Sequence, residues 1–179
     1  MNSSSPFPRL ITDRLVLRQL EMRDDAEIFF LRSDKTINEF LVSPIATSIQ
    51  DARDFIEKIN KSITNSESDY WAITVKGNNK LIGTICIWNI DREENKAEIG
   101  YVLHPAYCGK GFMSEAVAAV IQYGFGKMKL RCLDAVVHPE NKRSIILLER
   151  NGFTYAVASG DEVVFRLCNN MPNEQSSED

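Results

Sequence analysis

Apolar and polar residues alternate along several short stretches of the chain, and this alternation is typical of half-buried β-strands. It occurs first in RLVLRQL (14–20) and again on both sides of KGNNK (76–80), where two β-rich runs predict a hairpin. KAEIGYVLH (96–104) and CLDAVVH (132–138) predict further strands, and each is stopped by a proline. A closing hairpin with its turn at SGD is predicted over residues 154–168.

Apolar residues recur at helical spacing in four other segments. DDAEIFFLRSD predicts a short helix, and a longer helix is predicted after Ser48, whose hydroxyl can cap it. ENKRSIILLERNGF, the last of the four along the chain, predicts a short helix that begins at the cap Asn141 and ends at Gly152. The third follows a glycine turn, and its apolar stripe comprises Met113, Ala116, Val117, Val120, Ile121, Gly124, Phe125 and Met128. This order of elements indicates an α+β or mixed α/β fold.

The chain of 179 residues is long enough for one domain with a substantial core. We expect a flexible N-terminus at residues 1–9, a single domain at residues 10–168 and an acidic, flexible tail at residues 169–179. The net charge of −4 argues against a nucleic-acid partner. Because no run approaches the length of a membrane span and MNSSSPFPRL lacks a signal-peptide pattern, we expect a cytoplasmic protein.

The chain has four cysteines, but they do not form a metal-binding pattern. None lies in a C-x-x-C pair and the chain has only two histidines, so we expect no metal site. Cys86, Cys132 and Cys168 lie in apolar runs, which predicts buried free thiols in a reducing cytosol.

The segment PAYCGKGFMSEA (105–116) combines two glycines with a helix start, which is typical of a backbone that must approach a phosphate closely. The G-x-x-x-x-G-K-[ST] phosphate loop is absent. Gly109 and Gly111 match the first two glycines of the dinucleotide fingerprint, but Ser114 stands at the third. From these residues alone, a pyrophosphate loop, a dinucleotide loop and a turn without a ligand all stay open.

The stretch AEIGYVLHPAYCGKGFMSEAVAAVIQYGF, followed by HPENKRSIILLERNGF, resembles the GNAT superfamily of N-acetyltransferases. Within that superfamily, the chain is similar to the branch of ribosomal-protein N-terminal serine and alanine acetyltransferases. The resemblance implies a central, mostly antiparallel sheet with one splayed parallel strand pair and flanking helices. It also implies acetyl-CoA as co-substrate. The loop amides that would bind its pyrophosphate belong to Cys108, Gly109, Lys110, Gly111, Phe112 and Met113.

The resemblance also implies where the acetyl group lies. In the family, the backbone of the strand before the loop binds pantetheine and the acetyl carbonyl, which corresponds here to Tyr101, Val102 and Leu103. A donor at that carbonyl would stabilise the negative charge that develops when an amine attacks. His104 and His138 precede the two prolines. We expect both to have a structural role rather than to transfer protons.

Catalytic candidates are few. Glu98 alternates with core positions and is the best candidate for a base or an amine-binding group. Many family members have a tyrosine that acts as the acid where this chain has Leu148, so that acid is missing here. Ser144 is the residue that the resemblance places at the CoA sulfur, with Asn141 beside it, although both can also serve as helix-capping groups.

Trp71 and Trp88 fall on adjacent predicted strands and could line an acceptor site, with core packing as the alternative. The predicted activity is direct transfer of acetyl from acetyl-CoA to a primary amine, which is a protein N-terminus or a small molecule. The alternative is an acyl-CoA-binding module with little or no catalysis. We expect a monomer or a homodimer.

Overall fold

A computed structural model describes residues 7–41 and 44–169. The described residues form one eight-stranded sheet in the order β1-β2-β3-β4-β5-β6-β8-β7, with four α-helices. The strands are β1 (Leu10–Ile11), β2 (Leu15–Arg18), β3 (Asp69–Val75), β4 (Leu81–Asp91), β5 (Lys96–Leu103), β6 (Cys132–Val137), β7 (Thr154–Ser159) and β8 (Glu162–Cys168). The helices are α1 (Asp25–Ser33), α2 (Ile49–Thr64), α3 (Phe112–Gly126) and α4 (Lys142–Arg150).

The predicted mixed α/β fold is confirmed. Every strand pair in the described sheet is antiparallel except β5 with β6, which is parallel. The alternation in RLVLRQL produces β2, where Leu15 and Leu17 are both completely buried. The sequence did not reveal β1, whose two residues pair with β2 at Leu17 and Val16.

The predicted caps begin two of the helices. The Ser48 hydroxyl accepts a hydrogen bond from the Asp51 amide at 3.2 Å, and the Asp51 carboxylate in turn accepts one from the Ser48 amide at 3.0 Å. The Asn141 side chain accepts from the Ser144 amide at 3.2 Å and starts α4. These short-range bonds satisfy donors that a helix start leaves free.

Two apolar clusters lie on opposite faces of the sheet. The larger is covered by α3 and α4 and contains Trp71, Ile85 and Leu133, each 0% exposed. The smaller lies under α1 and α2, where Ile56 packs with Ala72. Residues directly opposite each other on paired strands share a face. The strand pairing therefore decides which side chains reach each surface.

The N-terminal boundary differs from the prediction. Trp71 donates its indole N–H to the Pro8 carbonyl at 2.7 Å, and Phe7 packs on the Trp71 ring at 5.6 Å between centroids. Residues 7–9 therefore belong to the packed domain. The remaining residues of the two predicted flexible ends, 1–6 and 170–179, lie outside the described residues, whereas Asn169 donates its amide to the Arg131 carbonyl.

The expectation of free thiols is wrong for two cysteines. Cys132 on β6 and Cys168 on β8 are direct register partners with Cα atoms 4.0 Å apart, and they form a disulfide. The sequence does not reveal this pairing, because the two cysteines are separated by 36 positions and meet only through the strand order β6-β8. Cys86 and Cys108 are free, and Cys108 is exposed.

Candidate functional site

The parallel strands β5 and β6 pair only briefly before they separate. Their register partners are Lys96 with Cys132, Ala97 with Leu133 and Glu98 with Asp134. Beyond Glu98, β5 continues to Leu103 beside β4, while β6 continues to Val137 beside β8. A slot therefore opens between the two strands toward their C-terminal ends.

One wall of this slot presents unpaired backbone donors. The His104 amide donates to the Ile82 carbonyl on β4 at 2.8 Å, and the register with β4 is regular from Leu103 back to Glu98. Because successive backbone amides of a strand point to opposite sides, the Val102 N–H is directed to β4 and those of Tyr101 and Leu103 into the slot. Of the three predicted backbone positions, two face the slot and Val102 does not.

The glycine turn lies just beyond the end of β5. Gly109 and Gly111 have φ values of 76° and 78°, a left-handed conformation that glycine adopts without a Cβ penalty. A Cβ on Gly109 would meet no atom within 4 Å, so packing of the described residues does not explain the glycine. Gly111 is the N-cap of α3, and the amides of Phe112 and Met113 in the first turn have no intrahelical acceptor. The loop thus offers free N–H groups at a positive helix end.

A set of contacts that sequence reasoning missed holds this loop against β2. The Arg14 guanidinium donates to the Lys110 carbonyl at 2.9 Å and to the Glu115 carboxylate at 2.6 Å. Glu115 also accepts from the Arg14 amide at 2.8 Å and from the Thr12 hydroxyl at 2.5 Å. Arg14 lies over the Phe112 ring at 4.6 Å. These partners are about 100 residues apart, and no local pattern indicates them.

The side chains of Lys110 and Cys108 are both exposed at the loop. The Lys110 ammonium donates to the Ala106 carbonyl at 2.9 Å and lies 5.5 Å from the Tyr107 ring centroid. The Cys108 thiol is exposed and its sulfur lies 3.8 Å from the His104 carbonyl. The backbone of this segment, more than its side chains, has the geometry of an anion site.

Glu98 lies at the point where the slot begins. Its register partners are Trp88 on β4 and Asp134 on β6, so all three side chains share the face opposite α3 and α4. The Asp134 carboxylate is engaged by Arg166 through two bonds of 2.6 Å. Glu98 accepts one bond of 2.6 Å, from the Asn89 side-chain amide. It is therefore a half-buried carboxylate with further acceptor capacity.

The two tryptophans do not lie together. Trp88 is 49% exposed and stands beside Glu98. Trp71 pairs with Ile85 on the other face, is 0% exposed and stacks edge-on against Tyr123 at 5.2 Å. The interpretation of Trp71 as an acceptor wall is wrong, because strand alternation places it in the core.

Ser144 is brought to the slot from α4. Its hydroxyl lies 2.6 Å from the phenolic oxygen of Tyr101 on β5, while its amide takes the Asn141 cap. Burial raises the pKa of Tyr101 to about 12, although the hydrogen bond with Ser144 acts in the opposite direction. Sequence reasoning found Ser144 and the Tyr101 backbone but missed that their hydroxyls meet.

The two histidines at the strand ends have matching structural contacts. In each, Nδ1 accepts from the amide two residues on, at 3.1 Å for His104 and 3.2 Å for His138. His104 stacks on Phe30 at 4.6 Å, and His138 stacks on Phe40 at 5.2 Å. Both rings therefore help to close the ends of β5 and β6 and to join them to the α1–α2 region.

Comparison with known proteins decides the family. Residues 14–154 match the model of the acetyltransferase (GNAT) domain. This chain belongs to the GNAT acetyltransferase family. The match includes the slot, the glycine turn and the start of β7.

Several relatives of this GNAT protein carry names. An uncharacterized N-acetyltransferase p20 from Bacillus licheniformis is 38% identical over 144 residues, covering 80% of this chain and 81% of the relative. The ribosomal protein uS5-alanine N-acetyltransferase of Escherichia coli strain K12 is 30% identical over 160 residues, covering 84% and 80%. The solved ribosomal L7/L12 alpha-N-protein acetyltransferase RimL, in complex with coenzyme A, has a TM-score of 0.79 at 19% identity, covering 90% and 98%.

Two other features of this GNAT protein lie outside the slot. A cleft of about 340 Å³ at the opposite end of the sheet is lined by residues such as Asp69, Arg92 and Tyr123. It is remote from the glycine turn, because it contacts the end of α3 rather than its start. Residues 7–41 and 44–169 contain no group of side chains placed to hold a metal ion and no helix long and apolar enough to span a membrane.

Proposed function

We propose that this protein transfers an acetyl group directly from acetyl-CoA to a primary amine. The observation that carries the proposal is the slot between β5 and β6, which has free backbone donors along one wall and an amide-lined turn at its open end. This arrangement matches a long ligand with an anionic portion and a carbonyl portion. No covalent acetyl-enzyme is required.

The amides of residues 109–113 would bind the CoA diphosphate, whereas the predicted contribution of the Cys108 amide is wrong, because that amide already donates to the Pro105 carbonyl at 3.1 Å. Gly109 supports this assignment, because the space beside it is open and a Cβ there would occupy it. Arg14 and Glu115 keep the turn in place from the other side, so the amides stay aimed outward. The positive end of α3 adds favourable charge for an anion.

The Tyr101 and Leu103 amides would receive the acetyl carbonyl and the pantetheine arm. When the amine nitrogen attacks the carbonyl carbon, negative charge develops on the carbonyl oxygen. An N–H fixed in a strand stabilises that charge without having to reorient, and one such donor contributes about 3 kcal/mol in well-studied cases. Val102 contributes its side chain to the cluster beneath α1 and α2 instead.

Glu98 would accept the proton that the amine loses. A protein α-amino group has a pKa of about 8, so a modest base suffices, directly or through one water molecule. Because Asp134 is held by Arg166, Glu98 is the carboxylate at this point that keeps an available oxygen. Trp88, which stands beside it, offers an exposed aromatic surface to an incoming ammonium group.

The proposed acceptor is the N-terminal α-amine of a protein of the ribosomal-protein type, with small-molecule amines as the second class. The name of the E. coli relative supports the first class. The half-exposed Trp88 and the open face near Glu98 also suit a chain end better than an enclosed small molecule. The proposed acceptor group is thus a primary amine, in the first place a protein α-amine.

The test is a thiol-release assay with acetyl-CoA against N-terminal peptides and a panel of small amines, beside calorimetry with CoA. We expect CoA binding and release of thiol with α-amine peptides, and Glu98→Gln should lower kcat about 100-fold. Binding of CoA without turnover on any acceptor would instead support an acyl-CoA-binding module. No heat with CoA or acetyl-CoA would contradict both functions.

A further inference from the structure

The outer edge of the sheet at β7 carries no charged residue. Within residues 7–41 and 44–169, β7 pairs only with β8, so one row of its backbone N–H and C=O groups has no partner strand. All six residues of TYAVAS (154–159) are exposed, which is true of no other described strand. Proteins usually protect such an edge with charges, proline or a very short strand, because it can accept a strand from another chain. The other edge strand, β1, is only two residues long and follows Arg9.

Apolar side chains flank the β7 edge on both faces of the sheet. The β7–β8 register shifts between Tyr155 and Val157, which pair with the consecutive residues Phe165 and Val164. Since consecutive residues of a strand point to opposite faces, Tyr155 and Val157 also lie on opposite faces. Their exposed fractions are 60% and 52%. A strand added along β7 would therefore cover apolar surface on each face while it completes the backbone hydrogen bonds.

Two charged residues at opposite ends of β7 indicate which strand would pair there. Arg150 is the last residue of α4, shortly before β7, and Asp161 follows β7 in the turn to β8. Both are exposed, and in the described part of the chain neither side chain has a hydrogen bond or an ion pair. Because a strand of this length spans about 20 Å, the two charges are too far apart to meet within one chain. They would meet between two copies whose β7 strands run in opposite directions.

We propose that two copies of this chain associate through antiparallel pairing of their β7 strands, which joins the two sheets into one. A two-fold axis at the centre of β7 places Thr154 of one copy opposite Ser159 of the other. The same axis brings Arg150 of each copy to Asp161 of the other, so that one kind of ion pair forms twice. Such an interface uses the same surface on both copies and closes after two, which makes a dimer rather than a fibre.

The charges favour a second copy over an acceptor peptide as the occupant of this edge. A second β7 strand supplies an uncharged segment with an acidic residue at one end and a basic residue at the other, at the required spacing, by symmetry alone. An unrelated peptide would have to carry the same two charges at the same distance. The dimer does not depend on the proposed acetyl transfer, because β7 lies outside the slot between β5 and β6.

Sedimentation velocity over a range of protein concentrations tests the dimer. Wild-type protein should change from monomer to dimer with a Kd in the micromolar range, because a single strand pair is a small interface. Val157→Lys places an ammonium group on the edge and should weaken the dimer at least about tenfold. Ile11→Lys is the matched control, since Ile11 is 64% exposed on the opposite edge strand, and it should leave the Kd unchanged. Circular dichroism should give wild-type spectra for both variants.

Charge reversal tests the register of the two strands. Arg150→Asp and Asp161→Arg should each weaken the dimer about tenfold, because each replaces two attractive contacts by two repulsive ones. An equimolar mixture of the two variants should dimerise about as well as wild type, since opposite charges then face each other at both ends. Misfolding of either variant could not produce this recovery. A mixture that stays as weak as the separate variants would overturn the proposed pairing.

The remaining outcomes also decide the matter. Wild-type protein that stays monomeric at every concentration would overturn the proposal, and so would a dimer that Val157→Lys leaves intact. A monomer that binds an α-amine peptide, with that binding lost in Val157→Lys, would assign the edge to the acceptor instead. Acetyl transfer by a monomeric wild-type protein would overturn the dimer and leave the proposed function standing.

Discussion

The Asn89 side-chain amide donates to the Glu98 carboxylate at 2.6 Å, from a backbone that has φ of 48°. The β4–β5 register shifts between Trp88 and Asp91, so Asn89 lies in a bulge directly beside the register partner of Glu98. Bulges and left-handed residues often redirect a side chain at functional sites. Here the bulge brings a donor to one oxygen of Glu98 and leaves the other oxygen available.

Replacing Asn89 tests whether this bond holds the proposed base. Asn89→Gly permits the same positive φ and removes the amide, so kcat should fall about fivefold while the CoA Kd stays unchanged. Asn89→Asp also tolerates the backbone but places a second carboxylate against Glu98, and it should be slower than Asn89→Gly. Steady-state kinetics and calorimetry check both variants. Full activity in Asn89→Asp would contradict a positioning role.

Gly109 provides a test of the diphosphate site with an internal control. Gly109→Ala should lower stability by about 1 kcal/mol, since a non-glycine residue is strained at φ of 76°. It should also weaken CoA binding about tenfold, because the new Cβ enters open space beside the amides. Gly160 in the β7–β8 turn has φ of 60° and equally open surroundings, so Gly160→Ala should show the stability loss alone. If the two variants bound CoA equally well, the proposal that the CoA diphosphate lies beside Gly109 would be contradicted.

The local features of this molecule were predictable and the long-range ones were not. Ser48, Asn141 and the two loop glycines act within three or four residues of themselves, so the sequence carries their signal directly. The splayed strand pair was predicted through family resemblance rather than periodicity, because local patterns of apolar residues do not determine the order of strands in a sheet.

The missed features depend on side chains that only the folded sheet brings together. Arg14 reaches the Glu115 carboxylate, and the Tyr101 hydroxyl reaches Ser144, across 101 and 43 residues respectively. The error at Trp71 has a related cause. The residue was correctly placed on a strand, but the alternation that sends it to the core face is set by its pairing with Ile85.

The Cys132–Cys168 disulfide should be visible as a stability difference on reduction. A 36-residue loop closed by a disulfide stabilises a fold by at most about 4 kcal/mol in the chain-entropy description. Dithiothreitol, or Cys168→Ser, should therefore lower Tm markedly. Mass spectrometry after alkylation should find two labelled cysteines without reductant in unfolded protein and four with it. An identical Tm in both redox states would show that the bond contributes nothing to stability.

Glu115 predicts a pH dependence of stability. Burial raises the pKa of the Glu115 carboxyl, but hydrogen bonds from Thr12 and Arg14 outweigh this and leave it below the ordinary glutamate value. A carboxyl whose pKa is lower in the folded state contributes stability that is fully present above its unfolded pKa of about 4.3. That contribution is lost as pH falls through the lower, folded value.

Glu115→Gln should therefore be less stable than wild type at pH 7 by about 1 kcal/mol, a modest figure because Arg14 is 48% exposed and solvent screens the pair. The difference should shrink as pH falls below the ordinary glutamate range, since wild type then loses the same charge. Urea unfolding from neutral to acid pH measures both curves. Glu94→Gln is the control, because that carboxylate is 59% exposed and pairs with Lys96 on the surface. A gap between wild type and Glu115→Gln that stays constant through the acid range would show that the charge of Glu115 does not stabilise the loop.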